Sequence, residues 1–208
     1  MSDPVSWRLD RAALAGDAVR VAPLLLGAVL RHSTPDGIVG VRLTEVEAYR
    51  GTGEDPGSHA HRGRTPRTAT MFGEPGHLYA YFTYGMHTCV NVVCSPAGVA
   101  SAVLLRAGEV VEGADLARSR RASARSDRDL ARGPARLASA LGIALSEDGS
   151  DLFSAPFSLE GAEVAPAVLN GRRVGVSGAG GGAAFPWRFW IPEDPTVSTY
   201  RRHARSHD

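Results

Sequence analysis

The sequence predicts a single compact domain of the α+β class, and three observations carry that expectation. Its 208 residues are 43% hydrophobic, a length and composition that suit one packed core. Strand-like and helix-like segments alternate irregularly along the chain. No internal repeat and no linker divides it, so residues 1–208 read as one unit.

Taken in order, Asp17 to Arg31 predicts a helix, with Val21, Leu24, Leu25 and Ala28 at helical spacing and Asp17 as its cap. Pro35, Asp36 and Gly37 supply turn chemistry. Val39 to Tyr49 then reads as a strand. From Gly51 to Thr68 the composition excludes regular structure while concentrating His59, His61, Arg62, Arg64 and Arg67. His77–Phe82 and Thr88–Val93 are strand-like runs joined through Thr83, Tyr84, Gly85 and Met86, which sets Tyr84 and Met86 at a hairpin tip. An aromatic there either folds back onto its own strands or wedges between base steps, and the spacing leaves both open.

Val99 to Arg106 reads as a further strand, and Val111 to Arg136 as an interrupted helical region. Arg118, Arg121, Arg125 and Arg128 recur there at helical spacing, either as a solvated face or as a track for phosphates. Pro134 to Gly142 is a short amphipathic helix ending at glycine. The acidic stretch Glu147 to Asp151 is a turn, the glycine-rich stretch Ser177 to Ala184 a flexible loop, and Phe185 to Ile191 a last strand. Tyr200 to Asp208 reads as a ragged tail.

The most informative stretch is Val39 to Tyr49. Strict alternation puts Val39, Val41, Leu43, Glu45, Glu47 and Tyr49 on one strand face that starts apolar and ends in two carboxylates. Either the strand leaves the core after Leu43 and its end is wet, or buried acids mark a catalytic edge. His59 and His61 with Glu45 and Glu47 would also draw a metal site, but this pattern lacks the helical spacing of a zinc enzyme.

Composition excludes several classes. No run has membrane-span length, because Pro23 and Gly27 interrupt the patch from Val21 to Leu30. The first residues lack a signal-peptide layout, and Cys89 and Cys94 do not make a disulfide framework, so a cytoplasmic setting is expected. The net charge of +1 does not by itself imply nucleic-acid binding. All 23 basic residues are arginine, so no lysine amine can form a Schiff base with a sugar aldehyde. The N-terminal amine is the one conceivable substitute.

An ordered set of motifs resembles the alkylpurine (3-methyladenine) DNA glycosylase family: EVEAY from Glu45, DPGSHAHRGRTPR from Asp55, MFGEPGHLYAYFTYGMH from Met71, CVNVV from Cys89, VLLRAGE from Val103 and GPARLASALGI from Gly133. The resemblance spans about Ala15 to Ser198, and Thr68 and Thr88 depart from it where asparagine and an aromatic are expected. It implies a curved, mainly antiparallel sheet with flanking helices and a hairpin that protrudes toward the DNA minor groove. It implies Glu47 as the general base for a water attacking the sugar C1′, with Arg106 positioning that water. Tyr49, Tyr81 and His59 would hold an extruded base, Asn91 would exclude normal guanine, and Tyr84, beside Met86, would fill the gap in the duplex. Arg62, Arg64 and Arg67 are phosphate-contact candidates. The implied protein is a cofactor-free, metal-free monomer in the bacterial cytoplasm, acting on double-stranded DNA that contains a damaged purine. A non-catalytic lesion-recognition module and a nucleoside hydrolase are the competing readings.

Overall fold

The chain opens with two clipped helices rather than the long one expected. The computed structural model describes residues 9–83 and 85–208; Tyr84 lies outside them. Helix α1 (Arg11–Leu14) is capped by the Asp10 carboxylate, and α2 (Ala18–Val21) by Asp17. A 3₁₀ turn over Ala22–Leu25 follows, and Val29–Thr34 is a strand, β1. The predicted helix over Asp17 to Arg31 therefore stops early. Pro23 removes a backbone donor, and Gly27 adopts φ +80°, a left-handed conformation that turns the chain into the sheet.

The remaining strands are β2 (Gly37–Tyr49), β3 (Leu78–Thr83), β4 (His87–Val93), β5 (Ala102–Glu112), β6 (Ala131–Arg132), β7 (Phe157–Glu160), β8 (Leu169–Gly171) and β9 (Arg188–Trp190). They form one nine-stranded, open sheet whose main path runs β3-β4-β5-β2-β1-β7. Every strand pairing described is antiparallel. Strand β2 is long enough to serve two neighbours along one edge, β1 up to Arg42 and β9 from Glu45 to Glu47. Strand β5 outlasts its prediction by six residues, to Glu112, so the helical region shrinks to α3 (Ala114–Arg120) and α4 (Pro134–Leu141). The last predicted strand contracts to the three residues of β9.

The two faces of the sheet carry different chemistry. One face packs Leu78, Ala80, Val90, Val92, Val103 and Leu105 against Leu14, Ala18, Leu25, Leu137 and Leu141 of the helices, making the main core. The opposite face carries a smaller apolar group, including Tyr79, Val93 and Ala102, under Ala60 and Met71 of the irregular segment. On β3 this alternation sends Leu78 and Ala80 to the core and Tyr79 and Tyr81 to the other side. The expected loose loop over Ser177 to Ala184 is instead a 3₁₀ turn at Ala179–Gly181 with Gly180 and Gly181 buried. Residues of the tail bond to it, Gly175 N–H donating to the Arg201 carbonyl and Gly178 N–H to that of Arg205. No described helix is long and apolar enough to cross a membrane.

Candidate active site

Two facing irregularities aim the carboxylates. Leu43 pairs with Gly108 and Val46 with Leu105, while Thr44 on β2 and Arg106 on β5 are skipped. An extra residue on each strand reverses side-chain alternation on both. The core therefore takes Val39, Val41 and Leu43 before the bulge but Val46 and Ala48 after it. This corrects the expected six-residue row: Glu45 and Glu47 lie on the face opposite Leu43, although both are fully buried, which excludes a wet strand end.

Burial of an anion requires partners, and the two acids find different ones. Glu45 accepts from Arg106 Nε (2.9 Å), Arg188 Nε (2.7 Å) and Ser198 N–H (2.7 Å). Burial alone would push its carboxyl up, but the charges of Arg106 and Arg188, with the hydrogen bonds from Ser198 and Arg188, hold it below the usual range. Glu47 accepts from Val174 N–H (2.6 Å), from the Tyr49 hydroxyl (2.9 Å) and, at 3.5 Å, from Arg106 Nη1. Arg106 stays charged, because Glu47 and Glu45 more than offset its burial. With guanidinium, amide and hydroxyl donors on their oxygens, the two acids do not form a metal shell with His59 and His61. No group of three potential ligands converges among the described residues.

Tyr49, Arg106 and Val174, the three partners of Glu47, all line one cavity of about 400 Å³. Tyr79, Tyr81, His59 and Asn91 line it as well. The Tyr81 ring meets His59 edge-on at 4.6 Å between centroids and tilts against Tyr79 at 5.6 Å. Asn91 is buried on β4 and donates through Nδ2 to the Tyr79 carbonyl. His59 pairs through Nδ1 with the Tyr79 hydroxyl, and partial burial together with the Arg67 charge lowers its imidazole to about 4. Burial raises Tyr79 to about 12 and pushes Tyr49 and Tyr81 well up, so all three phenols stay neutral.

Of the expected site residues, the cavity gathers Tyr49, His59, Tyr81, Asn91 and Arg106, with Glu47 directly behind it. Arg67 belongs to its rim, 5.6 Å from the Tyr81 ring centre, whereas Arg62 and Arg64 are simply exposed. Met86 is exposed beyond the paired ends of β3 and β4. Sequence reasoning missed Tyr79, which alternation with Tyr81 would have found. It also missed the ion pair of Arg173 and Asp55, 118 residues apart and fully buried, for which no local signal exists. Its two hydrogen bonds of 2.7 and 2.6 Å form a fork, and Arg173 also donates to the Ala48 and Gly180 carbonyls. The Arg173 guanidinium lies 4.4 Å from the Tyr49 ring centre and supports that ring. Gly57 is required here, since a Cβ would come within 2.6 Å of Arg173 Nη2.

Residues 12–195 match the family described as methylpurine-DNA glycosylase. Three similar proteins each bear the name "Putative 3-methyladenine DNA glycosylase". That of Leifsonia xyli subsp. xyli is 62% identical over 210 residues, covering 99% of this chain and 99% of its own. That of Streptomyces avermitilis is 58% identical over 200 residues, covering 94% and 92%. That of Mycobacterium leprae is 46% identical over 199 residues, covering 93% and 89%.

Proposed function

The chain belongs to the methylpurine-DNA glycosylase family, and on that premise we propose that it releases alkylated purines from double-stranded DNA by hydrolysing the N-glycosidic bond. A base inside a duplex is out of reach, so the nucleotide must rotate out, and a damaged base is the easier one to unstack. The cavity suits such a base: faces of Tyr49, Tyr79 and Tyr81 attract the positive charge of an N-alkylated purine. His59, neutral above about pH 4, adds no repelling charge.

In the proposed step Glu47 takes a proton from a water, whose oxygen bonds to C1′ as the C1′–N bond breaks. The bonding pair leaves with the base. A cationic purine becomes neutral on departure, so one carboxylate suffices where an ordinary glycosidase uses two. Arg106 orients that water and steadies the carboxylate, while Glu45 serves as the anchor of Arg106 and Arg188. Asn91, tied to the Tyr79 carbonyl, crowds the exocyclic amine of guanine. Tyr84 fills the vacated stack with Met86 beside it, and Arg62, Arg64 and Arg67 meet phosphates. The substrate range is 3-methyladenine, 7-methylguanine, hypoxanthine and ethenoadenine. Without lysine the product is an abasic site on an uncut strand. The protein acts as a monomer in the cytoplasm.

The observation that carries this reading is a fully buried carboxylate whose three donors all line an aromatic cavity. The test is free-base release from methylated duplex DNA, identified by mass, with strand breaks scored before and after alkali. Release with breaks only after alkali, abolished in Glu47→Gln while lesion binding persists, supports the reading. Tight lesion binding by the wild type without release would favour a recognition module and remove the role given to Glu47.

A further inference from the structure

Beside the aromatic cavity lies a second, open concavity of about 650 Å³, lined by Arg121, Arg125, Arg128, Arg136 and Asp129 among others. It is not the helix face that the arginine spacing suggested. Helix α3 ends at Arg120, the chain then folds through Ser126–Leu130, and Arg136 comes in from the first turn of α4. The carboxylates nearby are committed elsewhere: Asp115 and Asp127 close on Arg118, while Asp129 accepts from Ser126 and lies 3.7 Å from Arg132. Among the described residues, none of the four lining arginines makes an ion pair. Arg125, Arg128 and Arg136 are exposed. Arg121 is partly buried, and that burial, with Arg136 next to it, lowers its hold on its proton. Four guanidinium groups thus share the hollow with one carboxylate, that of Asp129, which the hydrogen bond from Ser126 and charges that include Arg128 and Arg136 hold below its usual range.

The position of this concavity names its ligand. Pro134 and Ala135 line the aromatic cavity, and the next residue, Arg136, lines the arginine hollow, so the start of α4 is the wall between them. A duplex carries one phosphate per ~1.7 Å of its axis, so DNA seated with a nucleotide in the first cavity lays phosphates across the second. We propose that the arginine hollow is a backbone-binding site for the duplex that flanks the damaged nucleotide. Its guanidinium forks suit phosphate oxygens, and its four arginines outnumber the one carboxylate, Asp129, that lines it. The hollow reads no sequence; it adds affinity and holds the duplex in line with the excision cavity. The choice of ligand rests on the glycosylase reading above.

The test measures binding of the full chain to an undamaged duplex by fluorescence anisotropy over a salt series. Wild type is compared with Arg125→Gln/Arg128→Gln/Arg136→Gln and with the corresponding triple lysine variant. Every phosphate that the variant no longer neutralises should flatten the plot of log K against log salt by about 0.9, so the glutamine variant should lose roughly 2 to 3 units of slope. The lysine variant should keep most of that slope. A wild-type slope and affinity in the glutamine variant would overturn the site, and so would an equal loss in the lysine variant, which marks a structural effect. Base release is scored on the same preparations. Release with an unaltered slope refutes the hollow alone, whereas a flattened slope with no release by wild type refutes the glycosylase reading alone.

Discussion

Replacing Arg173 by methionine tests whether the buried fork with Asp55 holds the site together. The substitution keeps volume but leaves the Asp55 carboxylate fully buried without its guanidinium, and strips donors from the Ala48 and Gly180 carbonyls. Breaking a buried pair from one side costs about 3–5 kcal/mol. In a chain of this length each kcal/mol moves the melting temperature by about 2–4 °C, so a drop of roughly 6–20 °C is expected by differential scanning calorimetry. Tyr49 also loses the cation beneath its ring, an interaction of about 0.5–2 kcal/mol, so binding of a methylated duplex should weaken by roughly 2- to 30-fold at temperatures where the variant is folded. The stranded charge sets a sharper expectation. Asp55→Asn/Arg173→Met should melt well above the sum of its two single losses, because asparagine keeps an acceptor for Gly57 N–H and leaves no unpaired charge. A melting temperature for Arg173→Met within about 2 °C of wild type, or strict additivity in the double variant, would refute the reasoning.

The acid side of the stability curve should carry the signature of Glu45. Its folded carboxyl sits below the ordinary value of 4.5, so its contribution is complete above that pH and disappears as pH falls through the lower folded value. The melting-temperature gap between wild type and Glu45→Gln should accordingly close on acidification below 4.5; a gap independent of pH would deny the anchoring charge. His59 should show an NMR titration near 4, and Arg67→Gln should raise it only part of the way towards 6.5, because burial is the larger cause. A midpoint near 6.5 in wild type would place the ring in water rather than in the cluster. Tyr49→Phe keeps the ring over Arg173 but deletes the hydroxyl that donates to Glu47, so single-turnover excision should fall about tenfold, or about 1.4 kcal/mol, with little change in substrate binding. Loss of binding with an unchanged rate would assign Tyr49 to stacking alone.

What could be read from the sequence follows from the range of the forces involved. The strand from Val39 to Tyr49, the paired runs around Tyr81 and Asn91, and the short helix from Pro134 are local patterns, and all three form. The helix drawn over Asp17 to Arg31 failed because Ala28 and Leu30 are apolar for the sake of the sheet, and a short apolar run does not by itself separate helix from strand. The cavity was half legible. Tyr49, Tyr81, Asn91 and Arg106 came from the motif resemblance, yet alternation alone assigned Glu45 and Glu47 to the wrong face, because nothing in the residues around Thr44 announces a bulge. The Asp55–Arg173 pair joins loops that only the finished sheet brings together. The arginines from Arg118 to Arg128 were visible as a stripe, but their grouping with Arg136 depends on the turn at Ser126–Leu130.

The extra residues at Thr44 and Arg106 have a bearing on how such a protein can change over time. Because one stands on each strand, they cancel in the ladder, and Val46 finds Leu105 as it would in a sheet lacking both. Removing Thr44 alone would leave Arg106 unmatched in the ladder; removing both would leave the pairing whole but take away the guanidinium that reaches Glu45 and Glu47. The device lets one strand answer to two masters. Mutations among Val39, Val41 and Leu43 answer to packing in the core, while those at Glu45 and Glu47 answer to the guanidinium, amide and hydroxyl donors on the opposite face.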